Sequence, residues 1–104
     1  MKPSLTDRAL PEQLPEWGVL VLESHHSPQF VMEWRTHPFV KIVYVLSGRG
    51  TFFLGKNEFC FAEGDVIVIP SGTRNRIVDD PVCASSLYVC CVAQSVLRFD
   101  VSLI

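Results

Sequence analysis

Apolar and polar positions alternate along this chain in short runs, and the runs predict strands rather than helices. The densest is Val66-Ile67-Val68-Ile69, four β-branched residues that suit a pleated strand buried on both faces. Turn formers bracket it. Glu63-Gly64-Asp65 admits the chain through a residue free to take positive φ, and Pro70-Ser71-Gly72 ends the ladder because proline has no N–H to donate. Upstream, Gly18–Glu23 predicts a first strand and Ser24-His25-His26-Ser27-Pro28 a polar loop. Gln29–Arg35 predicts the next strand, with Phe30, Met32 and Trp34 on one face and Gln29, Glu33 and Arg35 with Val31 on the other. Val40–Ser47 is apolar on both faces apart from Lys41, which predicts cover from both sides. The turns Ser47-Gly48-Arg49-Gly50 and Gly55-Lys56-Asn57 predict hairpins through Thr51–Leu54 to Glu58–Ala62. Arg76–Val78 and Ala84–Ala93 bring the total to about eight strands, the spacing of a sandwich or barrel. Gln94–Ile104 predicts a final strand or a connector.

The first seventeen residues read differently. Pro3, Pro11 and Pro15 forbid a long helix, so residues 1–17 are expected as an extended arm, with at most a short turn around Thr6–Leu10. A frayed tail is one reading; an arm that closes over a pocket or pairs with a neighbouring subunit is the other. Residues 18–104 form the expected β-domain.

Composition narrows the function classes. A chain of 104 residues with 48% hydrophobic residues and a net charge of −2 is one folded domain without an electrostatic footprint for nucleic acid or anionic membrane. No run approaches the roughly 18 apolar residues of a spanning helix, and the N-terminus lacks the apolar centre of a signal peptide, so a cytoplasmic protein is expected. Cys60, Cys83, Cys90 and Cys91 contain no Cys-x-x-Cys pair and read as small reduced hydrophobes. Arg74 and Arg76 share a face beside Asp79 and Asp80 and read as a solvated edge.

The spacing of Gly64, Pro70, Ser71, Gly72 and Asn75 resembles the second motif of the cupin superfamily. Lys41 and Gly48, with Tyr-Val-Leu-Ser-Gly-Arg-Gly over residues 44–50, resemble the end of the first. More narrowly, this phrase followed by Gly-Asp-Val-Ile-Val-Ile-Pro resembles the sensing domain of AraC-type transcription regulators. The resemblance implies an all-β, cupin-like double-stranded jelly-roll barrel in a single domain. It also implies a non-catalytic ligand-sensing and dimerisation module for transcription regulation, a homodimer without cofactor. A small stand-alone cupin enzyme, a metal-dependent isomerase or dioxygenase, is the alternative it leaves open.

The motif positions that hold metal ligands in cupin enzymes fall here on Arg35, His37, Lys41 and Asn75. Only His37 is a metal-ligand type, and two cations would repel a divalent ion, so no metal is expected. If these four converge, a guanidinium, an ammonium and neutral hydrogen-bonding groups suit a small anionic or sugar-like ligand. Against convergence, the alternation puts Arg35 on the polar side, where a surface pair with Glu33 or Glu58 explains it equally. Lys41, set among apolar residues, needs a partner, either a ligand or a salt bridge. A weaker metal reading joins His25, His26 and His37 as three nitrogens. The chain carries no helix-turn-helix or basic helix, so nucleic acid would be reached only through other segments of a longer regulator.

Overall fold

The computed structural model describes residues 4–97. The strands are β1 (Thr6–Arg8), β2 (Val19–Val31), β3 (Phe39–Ser47), β4 (Arg49–Leu54), β5 (Asn57–Ala62), β6 (Val66–Ile69), β7 (Asn75–Asp79) and β8 (Ser86–Ala93). They form a five-stranded sheet in the order β1-β2-β8-β3-β6 and a three-stranded sheet in the order β5-β4-β7. The core lies between the sheets, with Val43, Val45, Leu87 and Cys91 from the larger and Phe52, Phe61 and Ile77 from the smaller. This is the jelly-roll architecture expected from the sequence. No helix among the described residues is long and apolar enough to cross a membrane.

Strand parity across the larger sheet decides what enters the core. The register aligns Leu20, Cys91, Lys41 and Ile69 in one row and Leu22, Val89, Val43 and Ile67 in another, both facing the smaller sheet. Lys41 is therefore the charged member of an inward apolar row. The opposite face carries Val21, Cys90, Ile42 and Val68 in one row and Glu23, Tyr88, Tyr44 and Val66 in the next. Val21, Val66 and Val68 are more than half exposed there, so the expected burial of Val66–Ile69 on both faces is corrected. β6 is the edge of its sheet, and no layer among the described residues covers its outward valines.

Three further expectations change. Ser24–Pro28 is not a loop; β2 runs through it, pairing with β8 up to His25 and with β1 beyond. Pro28 is tolerated because it falls where the β1–β2 register shifts, between Thr6↔His26 and Arg8↔Val31, so no ladder bond is lost. Thr6–Arg8 is the short strand β1, not a turn, and Arg35 joins the fold through an isolated bridge to Asn75. Finally, Ser47-Gly48-Arg49-Gly50 closes no hairpin, because β3 and β4 belong to different sheets. Gly48, at φ 90°, is where the chain changes sheet; a Cβ there would stand 2.5 Å from the Ala84 carbonyl oxygen. The Gly55-Lys56 turn does join β4 to β5. Gln94–Leu97 is a single 3-10 turn, and the rest of the expected final strand lies outside the described residues.

Candidate functional site

The arm reaches back across the mouth between the sheets. Ala9 N–H donates to Val31 O at 3.1 Å, and Arg35 Nη2 donates to Ala9 O at 2.9 Å. Arg8 and Glu33 make an exposed pair at 3.1 Å, which replaces the expected surface pairing of Arg35 with Glu33 or Glu58. Beyond Pro11 the arm turns Glu12 inward, and Lys41 Nζ donates to Glu12 Oε1 at 2.5 Å. Both side chains are buried, 8% and 14% exposed, so each charge depends on the other for compensation.

Behind the arm lies a cavity of about 210 Å³, lined by Glu12, Arg35 and Lys41 at one side and by Val43, Phe52 and Ile77 from the core. Arg35 has no acidic partner among the described residues, and its Nη1 is buried without a hydrogen bond. A guanidinium N–H removed from water with no acceptor is costly, which makes it a ready donor to a ligand.

The structure brings His37, Asn75 and Arg35 together and leaves Lys41 facing Glu12. Arg35 and Asn75 exchange backbone bonds, Arg35 N to Asn75 O at 3.1 Å and Asn75 N to Arg35 O at 2.8 Å. His37 Nδ1 donates to Phe39 O at 3.1 Å, so Nε2 is the acceptor for Asn75 Nδ2 at 3.1 Å. Burial pushes the His37 imidazolium down most; the bond to Phe39 and the Glu12 carboxylate oppose this, and the Lys41 and Arg35 charges add to the lowering. The ring is neutral, stacked on Phe39 at 4.6 Å, and lines a second hollow with Arg35 rather than the main cavity. Asn75 is wholly buried, its Oδ1 without a partner.

These side chains do not fit the metal cage of cupin enzymes. Both nitrogens of His37 are engaged, and Lys41 and Arg35 bring positive charge to the other positions. The three-histidine reading is corrected as well. His25 bonds Ser86 and Glu23, His26 bonds Asp79, and His37 bonds Phe39 and Asn75, so the rings serve separate partners. Arg74 is exposed and Arg76 lies on the edge strand β7, as expected, but neither pairs with Asp79 or Asp80: Arg74 lies 4.4 Å over the Trp34 ring, and Arg76 Nε donates to Met32 O at 2.9 Å. The four cysteines are free, and burial with the nearby Glu12 carboxylate pushes the Cys91 thiol up to about 11, which leaves it inert.

The sequence reading missed Glu12 and the His26–Asp79 pair. The buried Lys41 required a partner, but nothing in the arm distinguished Glu12 from Glu16. Read as one strand, Leu20, Leu22, Ser24 and His26 share a parity, which would have sent His26 inward.

No curated protein sequence matches the chain. Among solved structures it is similar to an RmlC-like cupin from Shewanella frigidimarina, at 13% identity and a TM-score of 0.67, covering 79% of this chain and 73% of that one. The cupin domain of Schizosaccharomyces pombe Cnp3 matches at 16% identity and 0.65, covering 85% and 64%. The polyketide cyclase RemF from Streptomyces resistomycificus matches at 22% and 0.65, covering 72% and 54%. At these identities the likeness establishes a cupin fold and no activity. The family model of the AraC-like ligand binding domain matches residues 18–91. The chain therefore belongs to the AraC-like ligand binding domain family.

Proposed function

We propose that this chain is a non-catalytic sensing and dimerisation module that binds a small anion in the cavity behind its arm. The observation that carries the reading is the pair of cations on that cavity: Arg35 with a buried, unpartnered Nη1, and Lys41 held by the Glu12 carboxylate of the arm. A carboxylate or phosphate entering the cavity satisfies Arg35 bidentately and takes the place of Glu12 on Lys41. Because Glu12 sits on the arm, ligand entry and arm position compete for one ammonium. That gives the ligand a differential contact between two states, which is what a sensor needs.

The outward rows of the larger sheet supply the second half of the proposal. Val21, Val66, Val68, Tyr44 and Tyr88 form an apolar face across four strands, and a second copy related by a two-fold axis would cover it with the same residues. DNA contact would belong to segments other than the described residues.

Thermal-shift titration of the whole chain with small carboxylates and sugar phosphates tests the reading. Binding by wild type that falls at least about tenfold in Lys41→Met is expected, the size of a lost charged hydrogen bond. Equal affinity in Lys41→Met removes Lys41 from the site. Turnover of a bound compound by the isolated chain would replace the receptor with an enzyme.

A further inference from the structure

β2 passes unbroken through two adjacent histidines, and strand parity sends them opposite ways. His26 is the inward one. Its side chain is 2% exposed, it lines the same cavity as Arg35 and Lys41, and it stacks on Phe30 with ring centroids 3.5 Å apart. Its Nδ1 lies 2.8 Å from Asp79 Oδ2, which also accepts the Ser85 N–H at 3.1 Å. Ser85, just before β8, is tied to β2 as well, His26 N–H donating to its carbonyl oxygen at 2.9 Å. This corner exists because Gly48 and Gly50 let the start of β4 run against the backbone of Ala84, Ser85, Val78 and Asp79.

The hydrogen bonding fixes the tautomer. Burial raises the Asp79 carboxyl, but the bond from His26, the charge that ring carries when protonated, and the bonds from Ser85 outweigh it and hold the group below its ordinary value. Asp79 is thus a carboxylate at neutral pH, and a carboxylate only accepts. In neutral His26 the ring proton therefore sits on Nδ1, and Nε2 carries a lone pair. Nε2 makes no hydrogen bond among the described residues.

We propose that His26, oriented by Asp79, is a ligand-binding residue whose Nε2 accepts a hydrogen bond from a hydroxyl group, which makes the ligand a small hydroxylated acid of the sugar-acid class. This rests on the anion reading of the same cavity and adds its second pole: cations for the acid group and a fixed acceptor for a hydroxyl. A buried acceptor that meets a methylene instead stays unsatisfied, so the deoxy analogue binds more weakly. A volume of about 210 Å³ lies below the usual range for drug-sized ligand pockets and suits only a chain of a few carbons.

Calorimetric titration with sodium gluconate and sodium hexanoate, and with glycerate and propionate, tests this on the whole chain. Wild type is expected to bind the hydroxylated member of a pair at least about tenfold more tightly, and His26→Phe to lose that gap while keeping its affinity for the deoxy acid. His26→Phe leaves Asp79 without its partner and can fail to fold, so the wild-type imidazole nitrogens are also followed by long-range 1H–15N spectra. The His26 Nε2 resonance should move with the hydroxylated acid and stay with the deoxy acid. Equal binding within both pairs, lost together in Lys41→Met, overturns the role of His26 and leaves the anion site standing. Absence of binding by all four acids overturns both. An Nε2 resonance unmoved by a hydroxylated acid that binds also overturns it.

Discussion

His37 shows how a residue at a family's ligand position becomes part of the frame. Its two nitrogens are committed, one donating to Phe39 and one accepting from Asn75, and that pattern exists only for the neutral ring. The folded state therefore resists a proton that the unfolded chain takes up near pH 6.5. Stability from this group is present above about pH 6.5 and is lost as pH falls through the depressed folded value. Urea unfolding should show wild type weakening more between about pH 7.5 and about pH 5 than His37→Gln, whose amide oxygen still accepts from Asn75. Identical slopes in the two proteins would contradict the assignment. Of the four residues singled out by motif position, the sequence could name the positions but not the partners. Lys41 needed an anion on desolvation grounds alone, whereas the identity of that anion depends on where an arm without regular periodicity comes to rest.

At the scale of elements, the strands were legible where hydrophobic period and turn chemistry agree, as in β4, β5 and β8. They were not where a polar stretch sits inside a strand. Ser24–Pro28 looks like a loop because its residues favour turns, yet neighbours on both edges of β2 supply bonds that override that preference. The Ser47–Gly50 phrase failed for the opposite reason. Its glycines serve a close crossing between sheets, not a tight turn, and the two uses look alike in a sequence. Gly48→Ala should cost more than the roughly 1–2 kcal/mol of a left-handed non-glycine residue, since its Cβ also meets Ala84 and Ser85. Gly64→Ala, at φ 89° with nothing within 4 Å, should cost only the conformational part. Differential scanning calorimetry should place the Gly48→Ala midpoint several degrees below that of Gly64→Ala; equal midpoints would mean that the crossing relaxes freely.

For the molecule as a whole, the two faces of the larger sheet differ in what covers them. The inner face carries the cavity and its cations; the outer face is apolar without a covering layer among the described residues. The doubly apolar pattern of β3 and β8 was readable in the sequence, but a pattern cannot say whether a second layer or a second chain covers it. Val68→Glu, at the exposed β6 end of an outer row, should convert a dimer to a monomer in sedimentation velocity with the β-sheet circular dichroism unchanged. A monomeric wild type would remove the dimer from the account. The central claim is that an anion and the arm contend for Lys41, and calorimetric affinity for one bound carboxylate in wild type and Glu12→Gln tests it most directly. Removing the arm's charge should tighten binding by about tenfold or more. Unchanged or weaker binding in Glu12→Gln would contradict it.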